Sequence, residues 1–122
     1  MSNGSNTLLI NLISNKEINA GKALRTGRKF LAADWQVVLS MNIDAVKLLD
    51  PVASSQLCPV AGKPLVQLLK TYQADGGRVL VGAECLSLAG LSAENLFPGM
   101  ELASFPLLEE ILARPNVRTM TW

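Results

Sequence analysis

The run Arg78-Val79-Leu80-Val81-Gly82-Ala83-Glu84-Cys85-Leu86-Ser87-Leu88-Ala89-Gly90-Leu91 constrains the fold more than any other stretch of the chain. Val79, Leu80 and Val81 are apolar on successive positions, so both faces of the extended backbone are apolar. Such a strand belongs inside a parallel sheet covered by helices. A glycine follows at once, and then a helix-forming run, which places Cys85 in the first turn of a helix at the carboxyl end of a central strand. Open α/β sheets bind their ligands at that edge, and a helix start favours an anion such as a thiolate. Cys85 is therefore the best chemical site the sequence offers.

The rest of the chain repeats the alternation. Residues 7–13 read as a first strand buried on both faces. From Asn19, the apolar positions Ala20, Ala23, Leu24, Phe30 and Leu31 draw one stripe along a helix, with Lys22, Arg25, Arg28 and Lys29 on its wet side. An exposed helix face accounts for those cations better than an anion site does. Residues 35–41 form a second strand, and a short helical run follows, capped by Asn42 or Asp44 and halted at Asp50-Pro51. Residues 51–63 make the one long irregular connection. Pro64 suits the first turn of a helix with Leu65, Leu68, Leu69 and Tyr72 on one face, which Asp75-Gly76-Gly77 stops. Beyond Gly90 come a capped turn at residues 92–95, a tight turn at Phe97-Pro98-Gly99, and a brief strand at residues 100–102. A helix capped by Ser104, with Leu108, Ile111 and Leu112 on its buried side, leads into a closing strand at residues 117–122. The alternating polarity of that last strand suits a sheet edge or a subunit contact. About five strands and as many helices, on short connections, imply an α/β fold with a mostly parallel sheet and helices on both sides.

Composition narrows the function. At 122 residues and 13.1 kDa the chain has room for one core, so residues 7–122 are expected to form a single domain behind a flexible stretch at 1–6. Apolar residues make up 49% and aromatics only 5%, which predicts an aliphatic core and leaves apolar surface that a homo-oligomer would bury. A net charge of +1, with basic and acidic residues dispersed, gives no footprint for nucleic acid or an anionic membrane. With no histidine and two cysteines, no four-ligand zinc site can form in one chain, so neither metal nor cofactor is expected. No apolar run reaches membrane-spanning length and the first residues lack a basic segment, so a cytoplasmic protein with reduced cysteines is expected.

The segments 78–91, Glu94-Asn95-Leu96-Phe97-Pro98-Gly99-Met100-Glu101 and Val117-Arg118-Thr119-Met120-Thr121-Trp122, with residues 35–49, resemble the DsrE/DsrF-like family of small sulfur-relay proteins, sometimes described as predicted peroxiredoxins. The resemblance implies a three-layer α/β/α sandwich, a homo-oligomer such as a trimer or hexamer, and a cysteine that accepts sulfane sulfur as a persulfide and exchanges it with a donor or acceptor protein. It also marks a departure. The family's reactive cysteine is expected immediately after the third strand, eight positions before the helix-ending glycine; counted back from Gly90, that place is Gly82. Cys85 would be the second member of a C-x-x-C pair.

Two catalytic candidates follow, Cys85 and Cys58. A helix start lowers a thiol's pKa, whereas the adjacent Glu84 disfavours the anion, and a reduced cysteine is often an inert buried apolar group. Cys58 lies on the long loop near Lys63, whose charge would favour a thiolate, though packing under the loop serves as well. Following the second and third strands, the two sulfurs would meet as an exchanging pair if both reached one sheet edge. Asp44, Asp50, Glu84 and Glu94 form no acid pair or metal motif, and Gly82 alone makes no phosphate loop. Tyr72 and Trp122 read as packing or subunit-contact residues. The leading expectation is a persulfide relay through Cys85, assisted by Cys58. Its rival is a non-catalytic oligomeric binding or assembly subunit that has glycine in place of the nucleophile. A binder of apolar small molecules in a subunit cleft is a third option.

Overall fold

The computed structural model describes residues 6–52 and 56–122. The elements follow as β1 (Thr7–Leu12), α1 (Glu17–Ala32), β2 (Gln36–Met41), a 3-10 helix (Ile43–Leu49), α2 (Leu65–Ala74), β3 (Arg78–Val81), α3 (Ala83–Leu88), a 3-10 turn (Ala93–Asn95), β4 (Glu101–Leu102), α4 (Phe105–Leu112) and β5 (Val117–Thr121). The strands form one sheet in the order β4-β3-β2-β1-β5, and every pairing is parallel. β2 and β3 are laid down successively beside β1 in one direction. After α4 the chain crosses to the other side of β1, so the strand order reverses there. The expected flexible start at residues 1–6 lies, apart from Asn6, outside the described residues.

The two faces are covered unequally. One carries Leu8, Ile10 and Leu12 of β1, Val37, Leu39 and Met41 of β2, and Val79 and Val81 of β3, packed with α1, the 3-10 helix, α2 and Leu86 of α3. The other carries Leu9, Val38 and Leu80 against Ile111 of α4, with Leu107 and Leu108 beside them. These are the two outer layers of an α/β/α sandwich. Burying a side chain of this size contributes about 1.5–3 kcal/mol, so the first face supplies most of the stability. Helix α1 approaches the sheet closely because all of its buried residues except Leu24 are alanine or glycine: Ala20, Gly21, Ala23 and Gly27.

Tyr72 ties this layer to the sheet. Its hydroxyl donates to the carbonyls of Arg78 (2.9 Å) and Val37 (3.2 Å) at the start of the β2–β3 pairing. Burial pushes the phenol well above the usual tyrosine range, with the backbone of Leu39 opposing it. Gly77 is required beside it, since a Cβ there would overlap the Tyr72 ring.

Several local expectations are corrected. The run after β2 forms a 3-10 helix, with Asn42 at its N-cap position but no side-chain cap bond. Leu112, expected inside, is 48% exposed, and Leu108 is only half-buried. Helix α4 meets the sheet along the line of Ile111, which turns Phe105 and Leu112, one stripe at i and i+7, to solvent. Phe30 and Leu31 of α1 are likewise half-buried. The caps at Ser104, which accepts from the Leu107 amide at 3.3 Å, and at Ser92 form as the sequence predicts. Among the described residues, no helix is long and apolar enough to cross a membrane.

Candidate functional site

The carboxyl edge of β1, β2 and β3 is where a site is expected, and its geometry turns on Asn42. In β1 and β2 the polar residues Asn11 and Ser40 are register partners, which puts them on the same side of the sheet. Asn42 follows with the same parity. Its Nδ2 donates to Ser40 Oγ at 2.9 Å and to Asn11 Oδ1 at 3.2 Å. Those bonds aim its Oδ1 at Gly82. The Gly82 amide in turn donates to the carbonyl of Met41 at 2.9 Å, extending the β2–β3 ladder one residue past the strand.

Gly82 sits at φ −65° and ψ 118°, a conformation open to any residue. Glycine leaves room for Asn42: a Cβ would stand 2.5 Å from Asn42 Oδ1, which would have to move, while Cys85 Sγ at 3.6 Å would be in ordinary contact. The volume that a side chain at position 82 would occupy is taken by the Asn42 amide. Beyond Asn42 the backbone passes through Ile43 at φ 55°, where a β-branched residue is strained by about 1–3 kcal/mol.

The expectation of a persulfide relay through a cysteine at the end of the third strand is overturned. Strand β3 ends at Val81 and Gly82 follows it, while the chain's two cysteines stand elsewhere, Cys85 within α3 and Cys58 in the loop before α2. The two are free thiols in different surroundings. Cys58 is fully buried, and its sulfur fills the notch left by Gly21 of α1, where a Cβ would lie 2.5 Å from Sγ. Lys63 meets Cys58 through the backbone, the Cys58 amide donating to the Lys63 carbonyl at 2.8 Å, and its side chain is exposed. Cys85 is half-buried in an open groove of about 270 Å³ with Ile43, Asp44, Lys47, Leu88 and Ala89.

The carboxylates hold structural positions. Asp44 pairs with Lys47 at 3.0 Å, Asp50 Oδ1 accepts from the Val52 amide at 3.0 Å, and Glu84 and Glu94 are exposed. No group of three or more metal-ligating side chains occurs among the described residues. An apolar groove of about 410 Å³ runs between Leu48, Leu49, Val66, Leu96 and Phe97, with Lys70 Nζ 5.3 Å above the Phe97 ring. Sequence reasoning missed the Asn11, Ser40 and Asn42 trio. The available signal was the placing of polar residues, at one parity, at the carboxyl ends of otherwise apolar strands.

No family model matches the chain, and no curated protein matches it in sequence. Solved structures do resemble it. A protein of unknown function, MTH1491 from Methanobacterium thermoautotrophicum, superposes with a TM-score of 0.73 at 10% identity, covering 96% of this chain and 99% of that one. The ychN protein from E. coli superposes with a TM-score of 0.69 at 19% identity, covering 94% and 98%. At these identities the likeness establishes the fold.

Proposed function

We propose that this chain is a non-catalytic binding or assembly subunit on a DsrE-like scaffold, acting as a cytoplasmic homo-oligomer. One observation carries the reading. The position where the family resemblance places a nucleophile is Gly82, and the Asn42 side chain, held by Asn11 and Ser40, fills the space a thiol would need. The reactive position is thus built over as well as substituted. Phe105 and Leu112, exposed on one stripe of α4, further support an associating protein.

The test is direct. Reduced protein incubated with a sulfane-sulfur donor, beside a carrier that loads under the same conditions, is expected to show no persulfide increment in its intact mass. Stoichiometric loading of either cysteine overturns the reading.

A further inference from the structure

The two edges of the sheet are finished differently. Strand β4 closes one side with only two residues, preceded by Pro98 and Gly99 and pinned through Glu101 to Arg78. A short, charged edge gives another strand little to pair with. Strand β5 closes the other side with five residues in unbroken register with β1, free of proline and glycine and carrying Arg118 as its one charge. From Arg118 to Thr121 every residue of it is exposed.

The hydrogen bonds to β1 define which backbone groups are left over. Asn116 accepts from the Thr7 amide at 3.1 Å; Trp122 donates to the Asn11 carbonyl at 3.0 Å and accepts from the Ile13 amide at 2.7 Å. A parallel ladder uses alternate residues, so the even-numbered positions of β5 face β1. Val117, Thr119 and Thr121 therefore turn their N–H and C=O groups outward. Among the described residues no backbone group meets them, and the one contact on this row is Arg118 Nη1 to the Val117 carbonyl at 3.2 Å.

This row is its own complement. If two copies meet antiparallel about a two-fold axis at Thr119, Thr119 lies opposite the partner's Thr119 and Val117 opposite the partner's Thr121. Each outward N–H then finds an outward C=O. Arg118 falls opposite the partner's Met120, so no like charges face each other. An axis at Arg118 would set the two guanidinium groups against one another and leave Thr121 unpaired, and an axis at Met120 would leave Val117 unpaired. We infer that β5 pairs with β5 of a second copy of this chain about Thr119, joining the two sheets into one. This rests on the homo-oligomer reading above and adds its contact surface.

The experiment uses the full chain with Cys85→Ala as background, the buried Cys58 being retained. Thr119→Cys brings the two introduced sulfurs across the axis, where the Cα separation of a hydrogen-bonded antiparallel pair, about 5.5 Å, suits a disulfide. Thr121→Cys is also exposed and on the same side of the strand, but its two copies stand far apart along the strand. Mild oxidation is expected to turn the Thr119→Cys protein into a covalent dimer and leave the Thr121→Cys protein uncrosslinked. Light scattering of the parent protein is expected to give an even number of subunits. Equal crosslinking of both variants, or none with Thr119→Cys, overturns the pairing. An oligomer without the Thr119→Cys crosslink, including an isolated trimer, which has no two-fold axis, removes this contact and leaves the assembly reading standing. A monomer at every concentration removes both.

Discussion

At the scale of single residues, the decisive contact is between a backbone without a side chain and a side chain that is doubly anchored. Gly82 could be any residue by its dihedral angles, but a Cβ there would have to displace the Asn42 amide oxygen from its anchored place. Gly82→Ala is therefore expected to destabilise the fold by about 1–3 kcal/mol through overpacking. In an Asn42→Ala background most of that cost should vanish, because the obstructing oxygen is gone. Urea midpoints for the two single variants and the double variant measure the coupling; additive effects would show that Asn42 does not set the space at position 82. Tyr72 offers a second case. Tyr72→Phe leaves the Val37 and Arg78 carbonyls without their shared donor and is expected to cost about 1–3 kcal/mol, seen in the same melts.

Among the elements, α4 and β4 are the most lightly held. Ile111 is the buried residue of α4 and packs on Leu9, Val38 and Leu80. Ile111→Ala is expected to cost about 2–5 kcal/mol. It should remove hydrogen-exchange protection from α4 before the rest of the fold; uniform loss would mean that the two faces unfold as one. Strand β4 depends on a two-point pair, Arg78 Nε to Glu101 Oε2 at 2.7 Å and Arg78 Nη2 to Glu101 Oε1 at 3.0 Å. Hydrogen bonding to Arg78 holds the Glu101 carboxyl below the usual glutamate value. With the folded pKa lower than the unfolded one, this contribution is complete above the ordinary carboxylate range and is lost as pH falls through the lowered value. The pair is partly exposed, so the effect is modest. Glu101→Gln should lose less stability than the parent protein on acidification, measured as the shift in urea midpoint between neutral and acid pH.

For the molecule as a whole, the assembly reading makes the cysteines dispensable. The protein with Cys85→Ser and Cys58→Ala is expected to keep the parent's mass by light scattering. Alanine is the better choice at position 58, because a serine hydroxyl in the Gly21 notch would be buried without a partner. A change of subunit number in that variant would return a cysteine to the assembly itself. The strands, the order of the elements and the caps at Ser92 and Ser104 were legible in the sequence, because an apolar run, a proline or a capping hydroxyl acts over a few neighbouring residues. So was the glycine that follows β3. The burial of Leu112 was misjudged because helical period shows that an apolar stripe exists, while only the neighbouring element decides which part of it is covered. That Asn42 fills the space beside Gly82, that Cys58 is sealed against α1 and that β5 is left with an open edge are outcomes of tertiary structure. Each arises from atoms brought together across long stretches of chain, by sheet register and helix packing, which no local pattern records.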